Sequence, residues 1–269
     1  MVTQYLNSVR RAIVRSQMFD PDLRKDISRK QAYLEDKLEK CDFALAVHGQ
    51  ILDALNSEAN NHSLRIEIPK SQLYKQISAK ERLDIARHIK DCQENVRAAW
   101  LWGKSEYEKA NLCDELVIGL ASRIEPDFIH SYRRDAVRIS GSHLIPPRPE
   151  KVPSEMANMF EESKQLPVLE QALYLHLNTA RIHPFSDGNG RTSRMLQNLT
   201  LTSSGLPPVI IYEGERAHYL DLIQDAVRGN KYRDEDEAGI SDSEKRFYTF
   251  LATKVNIAFD KILDRLEGD

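Results

Sequence analysis

His183-Pro-Phe-Ser-Asp-Gly-Asn-Gly-Arg-Thr-Ser-Arg194 is a short polar stretch set between two apolar-periodic segments. Upstream, Val168 to Ile182 carries Ala172, Leu173, Leu177 and Ala180 at steps of one, three and four, the spacing of a helix face. Downstream, Arg191 to about Ser203 reads as a second helix, ended by Gly205 and Pro207-Pro208. The stretch is therefore a loop feeding the start of a helix. Gly188 and Gly190 permit unusual backbone angles and close approach, so backbone N–H groups and the helix dipole can face an anion. Asp187 offers a hard oxygen ligand suited to Mg²⁺. Arg191 and Arg194, three apart, share one side of the helix, and two guanidinium groups there suit a phosphate. His183 can act as a base near neutral pH, and Phe185 is expected to anchor the loop in the core.

Each part has an ordinary structural alternative. Asp187 could cap the helix, Gly188-Asn189-Gly190 could be a plain turn, and His183 could be a satisfied structural histidine. Their concentration within twelve residues favours a triphosphate site with a base beside it. The two common phosphate loops, GxxxxGK[ST] and GxGxxG, are absent.

Outward from this loop the pattern stays helical. Leu23 to Leu55 carries one apolar face of a long helix, of a length that suggests a hairpin or bundle. Asn56 to His62 reads as polar and turn-like, and Pro69 limits the helix expected to begin near Ser63. Further helices are expected over about 78–102, with Gly103 as a break, then 105–123, 153–162, 215–228 and 244–266. Asp234 to Glu237 reads as an exposed acidic loop. Ala136 to Pro147 is the one β-prone stretch and reads as a small hairpin. The expected fold is all-α with one β-hairpin, divided into an N-terminal helical domain, 1–104, and a catalytic domain, 105–269.

With 41% apolar and 29% charged residues the chain is of globular composition. A net charge of −3 gives no basic field for nucleic acid or anionic membrane. Cys41, Cys92 and Cys113 are odd in number and far apart, which fits a reducing compartment better than a disulfide scaffold or zinc site. The arginine-bearing N-terminus has no signal-peptide apolar run, so a cytoplasmic location is expected.

The loop resembles the Fic family signature HxFx[DE]GNGRxxR, with every specified position filled. Ala172, His176, the Ile139-Ser140-Gly141-Ser142-His143 stretch with Pro146-Pro147, and Glu215-Arg216…Tyr219 extend the resemblance over about 105–230. His176 is expected to be a structural helix histidine. The resemblance implies a Fic-fold helical bundle and transfer of AMP from ATP to a Ser, Thr or Tyr hydroxyl of a target protein of unknown identity. His183 would be the base. Asp187 would hold Mg²⁺ on the α- and β-phosphates, and Gly188, Asn189 and Gly190 would form the anion hole. Arg191 and Arg194 would hold the terminal phosphates, and Tyr219 and Leu220 would line an adenine pocket in which Val227 replaces a frequent Asn. The hairpin Ile139–Leu144 would be a flap that docks target backbone. The intact Gly-Asn-Gly argues against the kinase-like branch.

Relatives often carry an inhibitory helix, [ST]xxxE[GN]. Ser63-Leu-Arg-Ile-Glu67-Ile68 matches its Ser and Glu but has Ile68 in the last place. Glu67 is expected to pair with Arg194 and deny it to a phosphate, with Ser63 capping the short helix. Ala121-Ser-Arg-Ile-Glu125-Pro126 is a near miss without the hydroxyl. The alternatives are removal of AMP from a modified target, and a non-catalytic nucleotide-binding regulatory module. Self-modification and a homodimer are left open.

Overall fold

The computed structural model describes residues 18–67, 79–107, 112–127, 129–139, 144–231 and 240–267. Its helices are α1 (Pro21–Lys40), α2 (Asp42–Glu67), α3 (Ala79–Tyr107), α4 (Asp114–Ile124), α5 (Val152–Ser163), α6 (Val168–Ile182), α7 (Asn189–Thr202), α8 (Arg216–Lys231) and α9 (Asp242–Glu267), with single 3₁₀ turns at Pro149–Lys151 and Glu213–Glu215. None of them is long and apolar enough to cross a membrane.

α6 and α7 form the axis of the bundle. α6 is buried nearly all round, from Leu169 through Leu173, Leu175 and Leu177 to Ile182, as expected of a helix surrounded by others. α5 and α8 pack on α6, and α2, α3 and α4 pack on α7, while α9 lies against α1, α2, α6 and α8. The outer helix α1 buries only Ile27 and Leu34. Pro21 stands at its first turn, and the Asp20 carboxylate accepts from the Asp22 backbone N–H at 2.8 Å.

Four expectations about local structure are corrected. The apolar stripe from Leu23 to Leu55 belongs to two helices, because Cys41 adopts an extended backbone (φ −148°, ψ 107°) between them. Asn56 to His62 is not a turn: α2 runs through it to Glu67. Its polar residues are held by tertiary packing, with Asn56, Ala59 and Ser63 buried, so context overrides local composition. Ser63 is thus in the last turns of a long helix and caps nothing. Gly103 does not break α3. A Cβ there would stand 2.6 Å from Leu120 Cδ2 and 2.8 Å from Leu199 Cδ1, so this glycine lets α3 approach α4 and α7.

Of the expected β-hairpin, Ser140, Gly141, Ser142 and His143 lie outside the described residues, and no strand occurs among those described. Nearby, Arg133 donates from Nη1 to the Asp135 carbonyl at 3.0 Å and from Nη2 to the Pro147 carbonyl at 2.5 Å, so a guanidinium ties the two flanking segments together. The acidic loop Asp234–Glu237 and Pro69 also fall outside the described residues.

Candidate active site

α6 ends at His183, whose backbone is left-handed (φ 52°, ψ 58°), the only positive φ at a non-glycine among the described residues. Such a conformation costs about 1–3 kcal/mol for a residue with a Cβ and needs surroundings that impose it. Two bonds do so. The His183 N–H donates to the Thr179 carbonyl at 3.0 Å, and Arg133 Nε donates to the His183 carbonyl at 2.7 Å. Arg133 is buried and also reaches the Ile182 carbonyl at 3.4 Å. It therefore neutralises the carbonyl end of α6 while tying that end to the Asp135 and Pro147 arms.

The turn aims the imidazole into a cleft. Nδ1 lies 3.3 Å from the Ala180 carbonyl, a pure acceptor, so Nδ1 carries the proton and Nε2 is left as a lone pair. Burial pushes the His183 imidazole below its ordinary value. The nearby Arg133 guanidinium adds to this, while Ala180, Glu67 and Asp187 oppose it. At neutral pH the ring is a neutral base. The acid limb of kcat/KM for any reaction that uses it lies below pH 6.5, the unperturbed histidine value. A pH–rate profile on a transfer-competent form checks this, with a rise through acid pH to a plateau by about pH 7.

Phe185 is fully buried against Tyr132, as expected. The buried Asn189 side chain closes the loop on itself: Phe185 N–H donates to Oδ1 and Nδ2 donates to the Phe185 carbonyl, each at 2.9 Å. That side chain is committed to the loop, so its share in an anion hole rests on backbone. Gly188 is left-handed (φ 69°), and a Cβ there would sit 3.1 Å from Glu125 Cγ. Gly188→Ala is expected to lose about 1–2 kcal/mol of stability through the left-handed conformation alone. Urea unfolding at equilibrium measures it.

Gly190 has a different neighbour. A Cβ there would meet Glu67 Oε1 at 2.5 Å, so a carboxylate rests where the loop is expected to take an anion. Glu67 Oε1 also accepts from Arg194 Nη2 at 2.8 Å. Burial alone would raise the Glu67 carboxyl, but the Arg194 guanidinium, together with Arg191 and Arg216, outweighs it. The group is held below the usual carboxylate range. Arg194 is itself buried, donating from Nε to Ser63 Oγ at 2.8 Å and from Nη2 to the Ser63 carbonyl at 3.0 Å. Glu67 meets Arg194 as expected, and Ser63, expected as a helix cap, meets it too, both from the last turns of α2.

Arg191 takes another direction. Its guanidinium pairs with Glu125, both side chains nearly buried, and stands 3.7 Å from Asp187 Oδ1. The two arginines are not brought together on one face of the cleft, and Glu125 holds Arg191 beneath Gly188. Asp187 remains 69% exposed, with Oδ1 accepting from the Gly188 N–H at 2.6 Å. Among the described residues no cluster of three or more His, Cys, Asp or Glu side chains forms. Mg²⁺ does not require one, since it is commonly held by one or two carboxylates plus substrate phosphates, and the exposed Asp187 fits that demand.

The cleft between the loop, α8 and the Ile139 and Leu144 arms has a volume of about 210 Å³. It is lined by His183 and Asp187, by Glu67 and Arg194, and by the apolar Leu220, Ile223 and Val227. Tyr219 reaches it but is fully buried, and its hydroxyl turns to Arg194 and His176. His176 is the structural histidine expected of it. Arg133 carries no signal in the sequence; Glu125 and Arg216 stand there only as parts of motifs, without the contacts they make, Glu125 with Arg191 and Arg216 from Nε to the Ile66 carbonyl at 2.6 Å. Each acts through a contact distant in the chain.

The site thus sets a histidine in a left-handed C-cap, a Gly-Asn-Gly helix start and a buried arginine within one helical bundle. Residues 111–201 match the family model described as "Fic/DOC family". The chain is 42% identical over 105 residues to "Protein adenylyltransferase Fic" of Aedes aegypti, covering 37% of this chain and 20% of that protein. It is 39% identical over 105 residues to the protein of that name from Nematostella vectensis, covering 37% and 24%. The matched stretch thus spans about a fifth to a quarter of the length of these relatives. Among solved structures, a Fic domain containing signaling protein from Bacteroides thetaiotaomicron superposes with a TM-score of 0.71 at 18% identity, covering 91% of this chain and 98% of that one. Fic-1 from C. elegans gives 0.64 at 19% identity, covering 91% and 73%. At these identities the structures speak for the fold alone.

Proposed function

We propose that this protein transfers AMP from ATP to a hydroxyl side chain of a target protein, and that Glu67 restrains the reaction. The observation that carries the reading is the Glu67 carboxylate against Gly190 and Arg194. An anion is already bound in the cradle, supplied by the chain itself. The cleft is below the roughly 300 Å³ at which small-molecule pockets begin. Withdrawal of Glu67 both enlarges it and frees a buried guanidinium for the terminal phosphates.

The remaining parts share this cleft. The apolar Leu220, Ile223 and Val227 suit a nucleobase, and the backbone of Gly188 to Gly190 faces the phosphates. His183 Nε2 takes the proton of the target hydroxyl as its oxygen forms a bond to the α-phosphorus. The bond from that phosphorus to the bridging oxygen breaks, and pyrophosphate leaves with the electron pair. His183 keeps the proton until solvent removes it. Mg²⁺ held through Asp187 would neutralise charge on the phosphates. The arms at Ile139 and Leu144 line the same cleft and suit a target segment laid across its mouth.

α2 is strapped to the catalytic body at several points besides Glu67. Arg216 holds the Ile66 carbonyl, Tyr212 donates to Glu58 at 3.1 Å, and the Tyr212 ring meets His62 edge-on at 4.8 Å. These bonds support a brake set by tertiary packing, which does not depend on the Gly or Asn that Ile68 replaces.

The reaction class is tested with ATP labelled at the α- or the γ-phosphate, using a Glu67→Gly form and a cell lysate as target. AMP transfer places the α label on protein and leaves the γ label in pyrophosphate. Label from the γ position on protein would mean phosphorylation and would overturn the reading.

A further inference from the structure

Tyr219 is expected to serve an adenine pocket, but the direction of its hydrogen bonds gives it different work. Gln197 Nε2 donates to Asn198 Oδ1 at 3.2 Å, which turns the Gln197 carbonyl oxygen toward His176 Nδ1 at 2.5 Å. An amide oxygen only accepts, so Nδ1 carries the hydrogen. Burial drives the His176 imidazole down to about 3, so the ring is neutral and Nε2 is a lone pair. Nε2 lies 2.9 Å from the Tyr219 hydroxyl, which must therefore donate to it. The phenol oxygen is left as an acceptor, and Arg194 Nη1 donates to it at 3.4 Å. Gln197, His176, Tyr219 and Arg194 are all buried, between 0% and 6% exposed, so water does not substitute for any member.

Among the described residues the other hydrogen-bond partners of Arg194 lie on α2: Ser63 Oγ, the Ser63 carbonyl and Glu67. Of these, the Glu67 carboxylate is the one that must yield when ATP enters. Tyr219 is the partner supplied by the catalytic body itself, with the guanidinium carbon also 5.8 Å from its ring centroid. The geometry points to Tyr219 as a positioning residue for Arg194. The chain Gln197–His176–Tyr219 presents an oriented acceptor that keeps the guanidinium in place for the terminal phosphates once the Glu67 carboxylate has left. This rests on the reading of Arg194 as the terminal-phosphate anchor.

The test uses the full chain carrying Glu67→Gly and measures Kd for ATP and for AMP, each with Mg²⁺, by calorimetry. AMP lacks the terminal phosphates that reach Arg194, so it reports the base, ribose and α-phosphate contacts without them. Arg194→Ala sets the scale and is expected to cut the preference for ATP over AMP at least tenfold. Tyr219→Phe keeps the ring and is expected to cut that preference about 3- to 10-fold, with the Kd for AMP unchanged; this corresponds to about 0.7–1.4 kcal/mol. Gln197→Met, at a residue outside the cleft, frees the imidazole to take the other tautomer and is expected to shift the preference in the same direction. It also serves if Tyr219→Phe folds poorly. Equal weakening of ATP and AMP by Tyr219→Phe would make it a wall of the base pocket and overturn the proposal. So would an unchanged preference in Tyr219→Phe and Gln197→Met while Arg194→Ala lowers it. An unchanged preference in Arg194→Ala would instead remove Arg194 as the phosphate anchor, and the proposal with it.

Discussion

Glu67→Gly is expected to raise the rate of AMP transfer at sub-saturating ATP by at least tenfold. The argument starts from the bond that ATP must displace. A charge-assisted hydrogen bond to a buried guanidinium contributes about 1.5–3 kcal/mol. The Glu67 side chain keeps 40% of its exposure, which places this one toward the lower end of that range. Each 1.4 kcal/mol removed is about a factor of ten in apparent affinity. Removing the side chain also clears the space beside Gly190, where a Cβ would already collide with Oε1. The effect is expected in KM for ATP first, because the competitor occupies the phosphate end. Steady-state kinetics over a range of ATP concentrations on wild type and variant separates KM from kcat.

His183→Ala in the released form carries the second large effect, a loss of about 10²–10⁴-fold in kcat, the usual contribution of a positioned general base. KM for ATP is expected to change little. The imidazole lines the cleft with Nδ1 held by the Ala180 carbonyl, which leaves Nε2 for the incoming hydroxyl in the proposed reaction. A calorimetric Kd for ATP, compared before and after the substitution, checks that binding survives when transfer is lost. Parallel loss of binding would assign His183 to the nucleotide site.

Much of the site could be read before any coordinates, and the reasons are local. α6 lies at Val168–Ile182 as expected because its apolar period is unbroken and Pro167 and His183-Pro184 bound it. Gly188 was placed at a turn by chemistry that the φ of 69° satisfies. The pairing of Glu67 with Arg194 came from resemblance, since nothing local joins residues 127 apart in the chain. What escaped the sequence depends on distant partners. α2 continues through the polar Asn56–His62 because other helices bury one side of it, and Gly103 is a contact and not a break because Leu120 and Leu199 close on it. Arg191 reads from the sequence as a second phosphate arginine, and only the fold shows that Glu125, the glutamate of the near miss to the inhibitory pattern, pairs with it. Pairing of that kind cannot be inferred from one helix alone. Arg133 shows the same limit, because its bonds to the Asp135 and Pro147 carbonyls join segments that the sequence does not connect.

The central claim, that His183 transfers AMP and Glu67 holds the reaction back, is met most directly by one set of incubations. Wild type, Glu67→Gly and Glu67→Gly/His183→Ala are each given Mg²⁺ and ATP labelled on the α-phosphate, with and without lysate, and label on protein is counted. Strong label with Glu67→Gly, little with wild type and none with the double variant is the predicted result. Equal label with wild type and Glu67→Gly, or label that persists without His183, would contradict it.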